Sequence, residues 1–458
     1  MELHKRIRTI VFLLVFTIIS CGNETGTGVN PNPFENNNSD GEYVKLNYSS
    51  NSDSLFLKWE LLTKKSFDFY QINSDKLNET YKVESSNREF VLTHIPYNEV
   101  VPIKFSLISN EKSIYHTTLN ISITGLDTVF AETLIPDRGS VTGGDGTYSI
   151  ALPDGRSIFL MGDSYIGPVT NGSRSMQDHM FRNTYIMYDN GHVKAIYGAN
   201  GEKSSAAVPP GITNEHQKWY WPGHGFVDNN NLYVFQTLMY QGDEGMWGFK
   251  YETTDILEYE LPSMELKQTT TIPFKGSSDI HFGMAVLKEN EHVYIYAQVD
   301  VDNSMNPVSD VLVARTTMDN LYSEWEYFDG KNWSLNSANA LKLSGLESVP
   351  VSSQFNVFKL KDKYVLLTQE KTFGTGKIYT FIADKPEGPW YNKKLIYKIN
   401  ERKNIFTYNA MAHPQFKKDG MILISYNVNV EDFVEQHKDV STYRPRFIWI
   451  DISKIVEK

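Results

Sequence analysis

The chain has 458 residues and a formal net charge of −11, so it is poorly suited to bind nucleic acid or other anionic polymers. Aromatic residues make up 13% of it, long stripes of helical period are scarce, and this combination is typical of an all-β protein. The single cysteine, Cys21, excludes disulfides, Cys-ligated zinc and a thiol nucleophile from the mature domains.

Residues 1–20 predict an export signal. A positively charged start precedes the apolar run 10–19, which is too short to span a bilayer. The run ends in Ile-Ile-Ser before Cys21, which resembles a bacterial lipoprotein box; the alternative is a buried cysteine after an ordinary signal. The resemblance implies cleavage before Cys21, lipid attachment to its thiol, and anchoring to a bacterial membrane, at the outer membrane or cell surface.

A tether and a small β domain follow the signal. Residues 21–41 are rich in Gly, Asn, Pro and Ser and predict a flexible tether. Residues 42–125 carry seven short β-prone runs separated by polar turns, the pattern of an Ig-like sandwich. The motif Leu57-Lys58-Trp59 and the turn at 92–97 resemble fibronectin type III domains, which implies a spacer or docking role. The predicted strands are 43–48, 54–61, 67–72, 81–84, 89–92, 102–108 and 119–123.

Two-strand units recur along residues 127–458. Five such units, each with room for outer strands, predict a five-bladed β-propeller. Residues 446–450 are expected to close the last blade together with a strand at 128–134. The predicted hairpins pair 148–152 with 157–161, 223–227 with 232–236, 281–286 with 293–297, 354–358 with 364–368, and 413–416 with 421–425.

The first hairpin has an acid just outside each end. Its turn contains Asp154-Gly155, which tolerates the positive φ that tight hairpin turns need. Asp145 precedes the first strand and Asp163 follows the second, and the two ends of an antiparallel hairpin lie together. The sequence therefore predicts neighbouring carboxylates at a site for acid/base chemistry, unless each aspartate only caps its Gly-rich turn.

Further polar residues occupy the corresponding places in the other units, where a propeller lines the mouth of its central channel. The alternatives are caps, hydrogen-bonded core histidines, loop-stabilising asparagines and a solvated Glu370. Arg182 and Asn183 fit either a substrate clamp or structural contacts, and Trp219, Tyr220, Trp221 and Trp247 fit either sugar stacking on loops or packing. The remaining candidates are His224, Asp279, His281, Gln354, Asn409, His413 and Asn427.

Glycoside hydrolysis is the function that accounts for both the paired carboxylates and the polar and aromatic residues around them. It needs one carboxyl group as acid and one as base or nucleophile, while polar and aromatic groups hold the sugar. A serine hydrolase is disfavoured because no Gly-x-Ser-x-Gly elbow occurs, and neither a His-x-x-x-His zinc pattern nor a phosphate-binding glycine loop is present.

Several motifs carry a family resemblance over about residues 127–458. They are Gly144-Asp145-Gly146, residues 159–164, Gly388-Pro389-Trp390, residues 408–414, residues 425–429 and residues 443–447. They resemble the five-bladed β-propeller glycosidases, and in particular exported bacterial domains of unknown function related to endo-D-arabinofuranases.

The resemblance implies roles for individual residues. Asp145 would be base or nucleophile, Asp279 the proton donor with Glu370 as second choice, and Arg444 a substrate contact. His413 would help to hold a structural calcium ion in the channel through water. The chain departs from the pattern in lacking the Arg-Asp-Pro and Glu-Cys motifs of the fructosidase branch, and in having His224 where many relatives have Asp.

The sequence thus predicts a surface lipoprotein that hydrolyses a polysaccharide, such as an arabinan, with Asp163 supporting Asp145. The alternative is a non-catalytic glycan-binding lipoprotein that uses the same channel mouth. A polysaccharide lyase, with His224 and a tyrosine as base and acid, is a third hypothesis.

Overall fold

The computed structural model describes residues 39–40, 43–51, 54–92, 95, 100–122, 126–245, 248–300, 309–372, 374–399, 401–402 and 404–456. The predicted export signal, Cys21, most of the tether and Trp247 lie outside the described residues. No helix within the described ranges is long and apolar enough to cross a membrane.

Two antiparallel sheets of four strands share one core in the N-terminal part. Trp59 packs edge-on against Tyr70 and Phe105, with ring centroids 4.9 Å away in both cases. Each predicted strand of this region overlaps an observed one. The first sheet has the order β1(Ser39–Asp40)–β2(Val44–Asn51)–β3(Ser54–Leu61)–β6(Glu89–Leu92), and the second β5(Glu79–Glu84)–β4(Phe69–Ser74)–β7(Val100–Ser109)–β8(Lys112–Ser122).

Residues 128–134 form a helix, α1(Thr128–Leu134), and the prediction of a strand there is wrong. Asp127 caps the helix, accepting a hydrogen bond from the Phe130 amide at 2.9 Å. The Phe130 ring packs against Phe447 of the last strand, with centroids 4.9 Å apart. The packing of the partly buried Phe130, the buried Leu134 and the capped first turn therefore outweigh the β-prone composition of this short segment.

The rest of the chain folds into five successive antiparallel sheets. A small separate sheet of three strands accompanies the first of them: β9(Gly143–Gly144), β12(Ser164–Tyr165) and β13(Met180–Phe181). Sheet 1 comprises β10(Tyr148–Ala151), β11(Ser157–Met161), β14(Thr184–Asp189) and β15(His192–Ile196); sheet 2, β16(Lys218–Asp228), β17(Asn231–Gln241), β18(Phe249–Glu260) and β19(Glu265–Thr271); sheet 3, β20(Ile280–Glu289), β21(His292–Asp300), β22(Ser309–Thr317), β23(Glu326–Phe328) and β24(Trp333–Ser334); sheet 4, β25(Asn356–Leu360), β26(Lys363–Gln369), β27(Lys377–Ala383) and β28(Tyr391–Lys398); and sheet 5, β29(Phe406–Lys418), β30(Met421–Asn429) and β31(Arg446–Asp451). The short helices α2(Glu435–Lys438) and α3(Ile452–Val456) flank β31.

The five sheets are arranged as a closed ring. The first strand of each sheet contacts the first strand of the next, and β29 of sheet 5 returns to β10 of sheet 1. Each pair of neighbouring sheets encloses a hydrophobic core of its own. Burial of apolar side chains between sheets is therefore what joins one repeat to the next.

The first hairpin forms as predicted. Tyr148 pairs with Leu160 and Ala151 with Ser157, so the register brings Asp145 opposite Asp163. The Asp145 amide donates to the Asp163 carbonyl at 3.3 Å. The other predicted hairpins are also present as β16–β17, β20–β21, β25–β26 and β29–β30.

Candidate active site

Asp145 and Asp163 lie side by side at one end of the ring. Gly162 makes this approach feasible, because a Cβ atom at that position would collide with the Asp145 carboxylate. Gly146, with φ +91°, provides a backbone conformation that other residues adopt only with strain. The glycines of this stretch therefore serve to seat the acids, and the prediction of neighbouring carboxylates is confirmed.

The carboxyl group of Asp145 is held by tyrosines. Tyr408 donates to its Oδ2 at 2.7 Å, and Tyr443 also hydrogen-bonds this carboxyl group. Burial, followed by the charge of Asp163, raises the pKa of Asp145 to about 7, although the two tyrosine hydrogen bonds act in the opposite direction. Asp145 can therefore exchange a proton near neutral pH.

The carboxyl group of Asp163 has different partners. Trp221 donates its indole N–H to Oδ1 at 2.8 Å, and the Arg182 guanidinium lies 3.4 Å from Oδ2. Burial raises the pKa of Asp163, while the charge of Arg182 and the Trp221 hydrogen bond lower it. The cation and the indole favour the ionised form of Asp163, so a proton shared by the pair belongs on Asp145.

Sequence reasoning missed the tyrosines and the hydrogen-bond chain behind them. Tyr443 donates to the Asp163 carbonyl at 3.0 Å, so one hydroxyl contacts both sides of the pair. Asn429 donates to the Tyr408 hydroxyl at 3.5 Å and accepts from Gln436 of α2 at 2.7 Å. Tyr408 and Tyr443 are the first residues of two motifs that carry the family resemblance, and these motifs were the signal in the sequence that could have identified them.

Amide side chains line the same end of the ring. Asn409 donates to Gln354 Oε1 at 3.0 Å, and Gln354 donates across the channel to the Pro222 carbonyl at 3.0 Å. Asn409 has φ +50° and accepts from Ser352 at 2.6 Å. Asn427 is fully buried and accepts from Thr147 at 3.1 Å. The structure thus brings Gln354 and Asn409 together at this end and buries Asn427, and all three predicted amides are hydrogen-bonded to protein groups.

Side chains fill the channel below the mouth. Tyr148 of sheet 1 donates to the Met284 carbonyl of sheet 3 at 2.6 Å. The His224 ring stacks on Tyr148 and accepts from the Val286 amide at 3.1 Å. Burial lowers the pKa of His224 to about 4, so it is a neutral core residue at physiological pH.

His413 is completely buried, and burial lowers its pKa to about 3. One ring nitrogen is hydrogen-bonded to Ser149 at 2.7 Å and the other to Ser425 at 2.9 Å. Calcium prefers several oxygen ligands that include carboxylates. Among the described residues no cluster of His, Cys, Asp and Glu could hold a metal ion. The surroundings of His413 therefore do not fit the calcium that the resemblance implied.

The two candidates for the proton donor differ in their surroundings. Asp279 is exposed and accepts a hydrogen bond from Ser277 of its own turn at 2.9 Å. Glu370 is only 16% exposed, and its Oε2 is buried without a hydrogen-bond partner, the Lys377 ammonium being 3.6 Å away. The preceding Gln369 donates to Thr407, the neighbour of Tyr408, at 2.9 Å, which places Glu370 at the same end as Asp145.

The remaining candidates have mainly structural contacts. Asn183 is fully buried and bonds the backbone of Ala207 and Tyr220. Arg444 donates to the Thr142 carbonyl at 2.8 Å and pairs with Asp137 at 2.9 Å.

The three predicted loop aromatics within the described residues, Trp219, Tyr220 and Trp221, lie in β16. Trp219 and Tyr220 are fully buried, so the expectation of exposed loop residues is wrong for both. Trp221 is partly buried, and His281 is stacked on Tyr251 with ring centroids 4.0 Å apart.

Comparison with known proteins supports this description of the fold. A family described as a domain of unknown function, DUF5005, matches residues 130–452. The chain belongs to the DUF5005 family. No curated protein matches the chain in sequence. The sequence resemblance is confirmed for a domain of unknown function, and its relation to endo-D-arabinofuranases stays a prediction.

Three solved structures that are similar to this DUF5005 protein differ in how closely they match it. A Bacteroides ovatus protein described as a candidate hydrolase is 20% identical with a TM-score of 0.59, over 76% of this chain and 90% of that chain, which shows a shared fold. A GH43_12 protein from a capybara gut metagenome is 13% identical with a TM-score of 0.41, over 73% and 58%. A family 117 glycoside hydrolase from Zobellia galactanivorans is 10% identical with a TM-score of 0.38, over 69% and 86%.

Proposed function

We propose that this protein is a glycoside hydrolase that acts on a polysaccharide, with an arabinan as the first substrate to try. The observation that carries the proposal is the Asp145–Asp163 pair, in which burial and the neighbouring charge raise the pKa of Asp145 to about 7. A general base is most effective when its pKa is close to the working pH. Asp145 meets this condition, and Asp163 remains bonded to Arg182 and Trp221.

In the proposed reaction the glycosidic C–O bond is hydrolysed. The hydroxyl of water is added to the anomeric carbon, and a proton is added to the leaving oxygen. Asp145 is the base or nucleophile at the anomeric carbon, and Glu370 gives a proton to the leaving oxygen. Glu370 is preferred to Asp279 because its carboxyl group is largely buried and its Oε2 accepts no hydrogen bond, whereas Asp279 is exposed and bonded to Ser277 of its own turn. Gln354 and Asn409 supply amide groups for sugar hydroxyls.

The test compares Asp145→Asn, Glu370→Gln and Asp279→Asn with the wild type on neutral and acidic polysaccharides. Loss of general acid–base catalysis typically lowers the rate by about 10²–10⁴-fold. We expect losses of this size for the first two variants and wild-type turnover for Asp279→Asn. Equal turnover in Asp145→Asn and the wild type would reject the site. Glycan binding without turnover by the wild type would favour the non-catalytic alternative.

We further propose that the ring of five sheets is a five-bladed β-propeller and that the N-terminal sheets form a fibronectin type III-like spacer. The closed contacts between first strands support the former, and the division of strands between two sheets supports the latter. We also propose that Cys21 carries the lipid that anchors the protein at the bacterial surface. Fractionation tests this: Cys21→Ala should move the protein out of the membrane fraction, and an unchanged distribution would refute the anchor.

A further inference from the structure

Sheet 2 extends beyond the ring next to the carboxylate pair. We call residues 218–222 of β16, 236–241 of β17 and 249–254 of β18 the sheet 2 extension. These three strand segments pair with one another, whereas β19 pairs only with residues 255–260 of β18. The first strands of sheets 1 and 4 have only 4 and 5 residues, against 11 for β16, 10 for β20 and 13 for β29. Trp221 of the extension bonds Asp163, so the extension forms a wall beside the carboxylate pair, next to the short first strand of sheet 1.

Aromatic rings of this wall begin at the carboxylate pair. Trp221, bonded to Asp163 through its indole N–H, packs against Phe249 with ring centroids 4.8 Å apart and an interplanar angle of 79°. Trp219 lies beneath, fully buried, with the Arg182 guanidinium 4.3 Å from its ring. Trp221 and Phe249 are partly buried, so parts of their surfaces remain open to solvent.

A second ring pair continues the wall toward sheet 3. Tyr251 and His281 are stacked at 4.0 Å with an interplanar angle of 29°. Hydrogen bonds hold both rings, from Tyr251 to Thr254 at 2.9 Å and from His281 to Ser278 at 3.0 Å. Both residues are partly exposed. Rings fixed before a ligand arrives lose little conformational freedom on binding, which favours affinity.

The charges on the extension are neutralised in pairs. Lys218 lies 2.7 Å from Glu252, and Lys250 lies 3.1 Å from Asp243. Arg182 is likewise paired with Asp163. A wall of ring faces with compensated charges suits an uncharged ligand that has both apolar C–H faces and hydroxyl groups.

We propose that Trp221, Phe249, Tyr251 and His281 bind a neutral sugar unit of the glycan, adjacent to the unit on which Asp145 acts. Only the adjacency to a reacting unit rests on the proposed function; the binding of a neutral glycan stands on the wall itself. The wall holds the chain beyond the mouth, so polymers and longer oligosaccharides bind better than single sugars.

The experiment measures binding by the full chain in native gels that contain a soluble polysaccharide. The neutral probes are arabinan, galactan, xylan and a β-glucan, and the acidic probe is polygalacturonate. The variants are Phe249→Ala and Tyr251→Ala, neither of which replaces a partner of Asp145 or Asp163. Tyr391→Ala is the matched control, because it removes a 41% exposed aromatic ring from the outer strand of sheet 4.

We expect the wild type to be retarded by at least one neutral polysaccharide and less by polygalacturonate. Each wall variant should weaken that binding by about tenfold, the effect of truncating a well-packed aromatic contact, while Tyr391→Ala binds like the wild type. Phe249→Leu, which keeps apolar volume without a ring, should bind as weakly as Phe249→Ala. Its thermal unfolding should match that of the wild type.

Three outcomes would overturn the subsite: no neutral polysaccharide retards the wild type, polygalacturonate binds as tightly as the neutral probes, or the folded wall variants bind like the wild type. Turnover of the same glycans is recorded separately. A wild type that binds through the wall but cleaves nothing retains the subsite and rejects the hydrolase. If the wild type and Phe249→Leu cleave a neutral glycan at the same rate, the hydrolase proposal is retained and the subsite is rejected.

Discussion

Two chemically identical side chains acquire different properties at this site. Asp145 faces the hydroxyls of Tyr408 and Tyr443, whereas Asp163 faces a guanidinium and an indole N–H. Hydrogen bonds and charges that favour ionisation are therefore unequally divided between the two carboxyl groups. Such a division assigns different roles to the members of an acid pair.

The first prediction concerns the hydroxyl of Tyr408. Its hydrogen bond lowers the pKa of Asp145, so Tyr408→Phe should raise that pKa above the value of about 7. If ionised Asp145 is the base, activity appears as pH rises through this pKa, and the variant should need a higher pH. The measurement is the pH profile of kcat/KM, with an expected displacement of its acidic limb by about one unit for one lost hydrogen bond of about 1.4 kcal/mol.

Tyr197→Phe is the control for this measurement, since it removes the hydroxyl of a 41% exposed tyrosine on the outer side of sheet 1. A profile of Tyr408→Phe that coincides with that of the control would contradict the role of the hydroxyl. A lower rate at every pH without displacement of the limb would indicate a packing effect instead.

At the scale of elements, side chains from opposite sheets fill the channel. The hydroxyl of Tyr148 in β10 reaches the Met284 carbonyl in β20, and Gln354 beside β25 reaches the Pro222 carbonyl in β16. These contacts bypass the neighbouring sheet and connect strands that share no ladder. They restrict a ligand site to the mouth, above the plugged channel.

The second prediction follows from this plug. Tyr148→Phe leaves the Met284 carbonyl buried without its donor, and an unsatisfied buried group costs about 1–3 kcal/mol. We expect a loss of this size in the free energy of unfolding, measured by urea denaturation. Tyr197→Phe, at a 41% exposed tyrosine, should stay within about 0.5 kcal/mol of the wild type. Equal stability of the two variants would show that the cross-channel hydrogen bond contributes nothing.

Helix α1 shows how tertiary packing overrides a local pattern. Residues 128–134 look like a short strand by composition, but the Phe130 ring fits among Phe159, Tyr188, Phe416 and Phe447. Pairing with the last sheet occurs just before the helix, where Leu126 forms an isolated β-bridge with Ile448. The helix covers the join between sheets 1 and 5, a place that the sequence could not specify in advance.

At the scale of the molecule, the two parts of the chain have separate cores. The core of the N-terminal sheets is formed by residues 43–121, and the cores of the ring by residues from 134 onward, with Leu126, Phe130 and Ala131 packed against them. A hydrophobic core of its own is the mark of an independent folding unit. The predicted division into domains at about 125–127 agrees with these cores and stays a prediction.

The third prediction tests that division. A chain that starts at residue 126 should fold, unfold in one cooperative transition, and keep the activity of the full chain. A chain that starts at residue 137 lacks α1 with the partly buried Phe130 and the fully buried Leu134, and loss of a buried Leu side chain alone costs about 2–5 kcal/mol. We therefore expect a markedly lower Tm in calorimetry. Aggregation of the longer fragment, or equal Tm values for both, would contradict the division.

The sequence by itself determined the order of hairpins and the Asp145–Asp163 neighbourhood. Both follow from local rules: alternation of apolar residues defines the strands, an Asp-Gly turn sets the register, and the register fixes which residues meet. The repeat also predicted five blades; five sheets form the ring in the described part of the chain, and the blade count stays a prediction.

Only the tertiary structure decided what surrounds the pair. Tyr408, Tyr443, Arg182 and Trp221 come from sheets 5, 1 and 2 and from the segment before β31, and they meet only when the ring closes. The same closure buries His413 completely and packs the partly buried His224 against Tyr148 below the mouth, where the repeat had not placed them. Contacts between residues distant in sequence depend on how whole sheets pack, and no local pattern encodes them.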